Sequence, residues 1–202
     1  LNMKKISIST ELNPHFIGMW NINDNNLCKN IINFFEENSE LHRKGKAGDH
    51  VNDKVKKTTD ITINPNNLSE KKYNIFNTYF EYLHKCFLDY REDFPYLKDF
   101  LKKITIGPFN LQKYLPGDHF SAIHCERTDL QSLHRIFAWM TYLNDVSETD
   151  GGSTDFNYYK VKVQPECGKT LIWPAEWTHA HAGSILKNGK KYIITGWINF
   201  KN

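Results

Sequence analysis

The sequence predicts an α+β fold in which N-terminal helices support a C-terminal double-stranded β-helix, or jelly roll. Two observations lead there. Before residue 104, apolar residues recur at helical spacing in two long stretches; after it, they fall into about eight short β-like runs separated by turn residues. A chain of 202 residues, 40% of them hydrophobic, with no Pro- or Ser-rich linker, reads as one domain over 1–202. Within it, 1–103 reads as helical support and loop, and 104–202 as the jelly-roll core.

Asn23–Asn38 reads as a helix because Leu27, Ile31, Ile32, Phe34 and Phe35 form an apolar stripe behind Asn and Asp cap candidates. His42–Lys57 is charged, contains Gly45 and Gly48, and reads as a mobile loop. Thr58–Asn64 alternates and reads as a short strand. Ser69–Tyr90 carries the strongest helical pattern, with Tyr73, Phe76, Phe80, Leu83 and Phe87 on one face, and that aromatic face reads as core. From Ile104 onward the runs are ITIGPFNLQKYL, SAIHCE, RIFAWMTYLN, STDFNYY, KVKVQP, KTLIWP, THAHAG and KYIITGWINF. The turns PGD, DGG, ECG and KNG separate several of them, and Gly151-Gly152 reads as a backbone requirement of a tight turn.

Composition removes several classes of function. With 26 basic against 23 acidic residues and a net charge of +3, the chain has no strongly basic arm for nucleic acid and no polybasic membrane patch. No apolar run approaches a bilayer span, and the N-terminus lacks a secretory pattern, so the chain reads as cytoplasmic without a membrane partner. Cys28, Cys86, Cys125 and Cys167 lie far apart without a CxxC pair, which argues against zinc-finger and thioredoxin chemistry.

His124-Cys125-Glu126 carries the chemistry. In a strand, residues i and i+2 share a face, so an imidazole and a carboxylate would stand side by side as metal ligands. A third ligand must come from a distant strand, and THAHAG offers His179 or His181. Two histidines and one carboxylate leave three octahedral positions open, the arrangement of non-haem Fe(II) oxygenases. Taken alone, HxE is a weak signal, since a lone strand histidine is more often a hydrogen-bonded core residue.

The run KYLPGDHFSAIHCE…RIFAWMTYLND…GGSTDF…VQPECGKTLIWP…HAGSILKNGKKYIITGW resembles the prolyl 4-hydroxylase-like branch of the 2-oxoglutarate/Fe(II)-dependent dioxygenases, in its small phage and bacterial form. The resemblance covers roughly 104–200. It implies that His124 is the first ligand, that Glu126 stands where Asp is usual, and that His181 is the distal ligand. His181 sits in a His-x-Gly turn with Lys191 ten residues later, and His179 would share its strand face as a neighbour of the metal. Retention of a carboxylate at Glu126 argues against halogenation.

In the same resemblance Lys191 pairs with the distal carboxylate of 2-oxoglutarate, while Lys190 points to solvent. A dianion in a water-poor barrel requires a buried cation, and Lys191, Ile193, Thr195 and Trp197 alternate to one strand face. Tyr114, Tyr142 and Thr195 would hydrogen-bond the cosubstrate, Arg135 and Trp197 would face the substrate, and the loop 42–57 would gate it. The implied cofactors are Fe(II), 2-oxoglutarate and O2, with ascorbate as a candidate reductant. The implied reaction is hydroxylation of an unactivated carbon, above all in a prolyl residue of a peptide or protein, with succinate and CO2 as co-products. The competing readings are a hydroxylase or demethylase of a nucleotide or small molecule, and a non-catalytic jelly-roll binding module. Nucleic acid is the weaker partner, because that branch carries an Arg-rich C-terminal pattern and a basic groove.

Overall fold

A computed structural model describes residues 2–48 and 50–201. In chain order its strands are β1 (Lys4–Lys5), β2 (Gly18–Asn21), β3 (Arg43–Lys44), β4 (Thr59–Ile63), β5 (Ile104–Ile106), β6 (Phe109–Tyr114) and β7 (Phe120–His124). They continue as β8 (Arg135–Tyr142), β9 (Thr154–Phe156), β10 (Val161–Val163), β11 (Lys169–Pro174), β12 (His181–Gly183) and β13 (Lys191–Phe200). The helices are α1 (Asn25–Glu37), α2 (Asn74–Asp93) and α3 (Tyr96–Phe100). Among the described residues, nine strands form one antiparallel sheet in the order β1-β2-β11-β8-β13-β6-β4-β3, with β5 also on β13. Four more, β10-β9-β12-β7, form a smaller antiparallel sheet.

The alternation of β13 explains how the layers stack. Tyr192, Ile194 and Ile198 pack with the helix residues Phe35, Phe76, Phe87 and Tyr90 on the outer face of the large sheet. Ile193 and Trp197 turn to the opposite face, where Tyr114, Met140, Tyr142 and Trp173 meet Phe156, Val161 and Val163 of the small sheet. A strand buried on both faces must read as a near-continuous apolar run, and KYIITGWINF does. Trp139, fully buried, anchors the outer layer against Tyr79 and Phe80, each at 5.7 Å between ring centroids.

The helix stripe at 23–38 forms α1, capped by the Asp24 carboxylate, which accepts from Leu27 N at 2.9 Å. The second helix begins at Asn74, later than the pattern from Ser69 predicts. The Asn64 side chain accepts from Asn66 N, and 3₁₀ turns over Pro65–Ser69 and Lys71–Tyr73 take up the intervening chain. Four elements were invisible in the sequence: β1; β2, which pairs with both β1 and β11; β3; and the one-turn helix α3 after Pro95. The first hundred residues therefore contribute β1–β4 to the large sheet as well as helices.

The charged segment 42–57 differs from a plain surface loop. Residues 43–44 pair with β4, Lys57 and His119 exchange backbone hydrogen bonds at 2.8 and 3.0 Å, and Lys56 is only 4% exposed. Asp49, within that loop, lies outside the described residues. The run THAHAG is not one strand: Trp177–His179 forms a 3₁₀ turn and only His181–Gly183 is extended. No helix among the described residues is long and apolar enough to cross a membrane.

Candidate metal and cosubstrate site

Three chain segments converge at one end of the small sheet. His124 ends β7, and His181 opens β12 directly across from it in register. His181 also pairs with Phe156 of β9, so its backbone is held on both sides. Glu126 lies beyond the end of β7, and strand alternation does not deliver its carboxylate. Instead the N–H groups of Glu126 and Arg127 both donate to Ala175 O, at 3.1 and 3.0 Å, and so tie that turn to the end of β11.

The ligand atoms of His124, Glu126 and His181 all lie within 4.8 Å of one another. Glu126 Oε1 is 3.4 Å from His181 Nε2 and 3.8 Å from His124 Nε2. The tautomers follow from the partners. His124 Nδ1 is 2.8 Å from Ala122 O and His181 Nδ1 is 2.9 Å from His179 O; carbonyls only accept, so both protons sit on Nδ1 and both Nε2 lone pairs face the cluster. Burial, aided by His181 and opposed by Glu126, pushes the His124 imidazole down to about 4. Burial acts to raise Glu126, but His181, His124 and the Trp197 N–H outweigh it and hold the carboxyl near 2. At neutral pH the set is a carboxylate and a neutral imidazole with a second imidazole beside them. Two nitrogens and one oxygen in this protonation state suit a divalent first-row metal.

The remaining oxygen of Glu126 is occupied. Trp197 Nε1 donates to Oε2 at 2.6 Å, and the Arg135 guanidinium stacks on the Trp197 ring at 3.8 Å while donating to Glu126 O at 2.9 Å. Arg135 and Trp197 therefore meet beside the cluster. His179 does not join it. Its ring turns away, with Nε2 2.9 Å from His15 O and Nδ1 3.0 Å from Thr178 Oγ1. Since His179 lies in the 3₁₀ turn, it shares no strand face with His181 and reaches that ligand only through its carbonyl.

Deeper in the barrel, Lys191 is 3% exposed. Its Nζ donates to Gly152 O at 3.0 Å and sits over the Tyr114 ring at 3.9 Å, and among the described residues no carboxylate lies within ion-pair distance. Burial drives the amine from its usual 10.5 down to about 7, with Asp155 acting weakly in the opposite direction. Gly152 has φ +74°, and its carbonyl can face Lys191 because the DGG turn adopts a left-handed backbone there. Lys190 is exposed. The other expected cosubstrate contacts use their hydroxyls within the protein. Tyr142 Oη lies 2.5 Å from Thr154 Oγ1 and Thr195 Oγ1 donates to Trp139 O at 2.9 Å.

Sequence reasoning missed two aromatic supports. Phe120 stacks on His124 at 3.8 Å and 10°, and Trp173 meets His181 edge-on at 5.1 Å. Phe120 lies four residues before His124 on the same strand, a spacing that could have marked it; Trp173 has no local signal.

The 2OG-Fe(II) oxygenase superfamily model matches residues 109–199. Among solved structures, a Pseudomonas putida prolyl-4-hydroxylase aligns with TM-score 0.71 at 15% identity, over 95% of this chain and 96% of that one. The viral collagen prolyl hydroxylase of Paramecium Bursaria Chlorella virus-1, in a 2OG complex, aligns with TM-score 0.66 at 18% identity, over 94% and 98%. A Trichoplax adhaerens prolyl hydroxylase in complex with a hypoxia inducible factor oxygen degradation domain peptide fragment aligns with TM-score 0.69 at 16% identity, over 94% and 86%. No curated protein sequence matches the chain. At such identities these structures speak for the jelly-roll fold, while the family match covers the segment that holds all three clustered side chains. Over residues 109–199 the chain is therefore similar to the 2OG-Fe(II) oxygenase superfamily, and that segment holds the whole His124–Glu126–His181 cluster.

Proposed function

We propose that the protein is a 2-oxoglutarate-dependent hydroxylase of prolyl residues in a peptide or protein. The family implies Fe(II), 2-oxoglutarate and O2, and bound iron would couple oxidative decarboxylation of 2-oxoglutarate to succinate with oxidation of a substrate carbon. The observation that carries this reading is Lys191, a buried ammonium on the inward face of β13 with no carboxylate within ion-pair distance among the described residues. A dianion that bridges it to the cluster would complete both.

In this reading His124 and His181 hold the metal through Nε2, and Glu126 holds it through Oε1 while Trp197 occupies Oε2. Lys191 pairs with the distal carboxylate, Tyr142 and Thr195 line the cosubstrate pocket, and Arg135 with Trp197 presents a flat cationic surface to the substrate. Ascorbate is the candidate reductant. A peptide substrate is favoured by an open cleft of about 330 Å³ on the turn leading into His181, lined by Leu12, Pro14, Tyr158, Tyr159 and Trp177. Exposed aromatic rings of this kind suit extended, proline-containing chains better than small ionic metabolites. The neighbour complexed with a peptide points the same way.

The test is succinate formation against panels of proline-containing peptides, free amino acids and nucleotides, with mass spectrometry of the products. Stimulation by a peptide together with an added oxygen on proline is expected. Stimulation by nucleotides alone would assign the enzyme to another substrate class.

A further inference from the structure

A buried polar chain runs from the end of segment 42–57 to Tyr114, beneath Lys191. Lys56 Nζ donates to Asp60 Oδ2 at 2.7 Å, Thr58 Oγ1 donates to Asp60 Oδ1 at 2.6 Å, and Gln112 Nε2 donates to Asp60 Oδ2 at 3.2 Å. The Tyr114 hydroxyl donates to Gln112 Oε1 at 2.9 Å. Gly45 roofs the chain: a Cβ there would clash with Thr58 Oγ1 and stand 3.0 Å from Lys56 Cε and 3.2 Å from Asp60 Oδ2.

Chemistry forces the direction of these hydrogen bonds. A carboxylate facing an ammonium only accepts, so Gln112 must turn its NH₂ edge toward Asp60. Its carbonyl edge then faces Tyr114, and a carbonyl only accepts. The phenol has one proton and donates it there. Its oxygen is left with acceptor capacity alone, a poor match for a carboxylate.

We propose that the buried Lys56–Asp60 pair, acting through Gln112, directs the Tyr114 hydroxyl proton away from the cosubstrate, so that Gln112 is a positioning residue that sets 2-oxoglutarate affinity. The proposal rests on the reading of Lys191 as the cosubstrate anchor. It makes a prediction of unusual sign: removing the acceptor on Gln112 frees the phenol to donate into the pocket and tightens binding.

The test is calorimetric titration of 2-oxoglutarate into Mn(II)-loaded protein, with melting temperature as a check on folding. Gln112→Met retains length, lacks an acceptor for the phenol and leaves Asp60 bonded to Lys56 and Thr58. It should bind 2-oxoglutarate about fivefold tighter or more, since a new bond to a charged acceptor forms. In a Tyr114→Phe background the same substitution should change affinity by less than about twofold, because the effect passes through that hydroxyl. Lys56→Met with Asp60→Asn removes the pair without stranding a buried charge, frees the amide to turn, and should give the same gain if Gln112→Met does not fold. Unchanged or weaker binding in these variants, or a gain that persists in Tyr114→Phe, overturns the proposal while leaving the anchor reading intact. A Lys191→Ala protein that binds 2-oxoglutarate normally overturns both.

Discussion

The His124–Glu126–His181 cluster and the Lys191 ammonium solve the burial of charge in opposite ways. At the cluster, every polar group has a partner: both Nδ1 atoms face carbonyls, and the Glu126 oxygens face imidazoles on one side and the Trp197 indole on the other. At Lys191 the ammonium has one carbonyl and the face of one ring. The first is already organised and needs a cation only to bring its lone pairs together. The second holds a cost, the desolvation of an unpaired charge, which an incoming carboxylate would relieve. The first is therefore expected to set metal affinity by geometry, and the second to set cosubstrate affinity by charge.

Removing His181 tests the first half and carries the largest expected effect. Loss of a partner that merely orients a ligand costs about 10- to 100-fold in metal affinity, so His181→Ala should exceed a hundredfold in a Mn(II) titration. His179→Ala should cost far less, since its ring faces His15. The reverse ranking would show that the wrong histidine had been assigned.

For the second, Lys191→Ala should weaken 2-oxoglutarate binding by roughly a hundredfold, because it leaves a buried carboxylate unpaired at a loss of about 3–5 kcal/mol. Lys190→Ala, exposed, should change it little. The pH dependence sharpens this further. With the amine titrating at about 7 in the free protein, the ammonium fraction falls above that pH. Affinity for the dianion should then fall by up to about tenfold per pH unit. Stability moves the other way. The unfolded lysine keeps its proton to its usual 10.5, so between about pH 7 and 10 the unfolded state binds more protons. The cost of burying the ammonium is fully present below pH 7 and is relieved as pH rises. Melting curves of wild type and Lys191→Met should therefore diverge across that window, and parallel curves would contradict an unpaired ammonium.

How far the sequence anticipates this depends on whether a feature is local. The helices α1 and α2 were readable from apolar stripes, and the spacing His124, Glu126, His181, Lys191 marks the positions that the fold brings into one barrel. Features supplied by distant chain were not. Strand β2 is four residues whose extended form depends on β1 and β11. Lys56 looks like one solvated charge among many, and only the fold encloses it with Asp60, Gln112 and Gly45. Strand alternation gave the right neighbour for His124 for the wrong reason, since β7 stops there and Ala175 holds Glu126 in place.

The smallest effect concerns what lets a glutamate stand where the resemblance has aspartate. The longer side chain adds a torsion, and the Trp197 N–H on Oε2 removes that freedom by fixing which oxygen faces the histidines. The indole is in turn clamped by the Arg135 guanidinium. Trp197→Phe keeps the ring and the stacking but deletes the donor. It should lower Mn(II) affinity by about tenfold, the low end for loss of an orienting partner, well short of His181→Ala. It should leave 2-oxoglutarate affinity at saturating metal nearly unchanged, because Lys191 carries that term. A loss confined to the cosubstrate would place Trp197 with the Lys191 ammonium, and the division between a geometric and an electrostatic role would have to be redrawn around the indole.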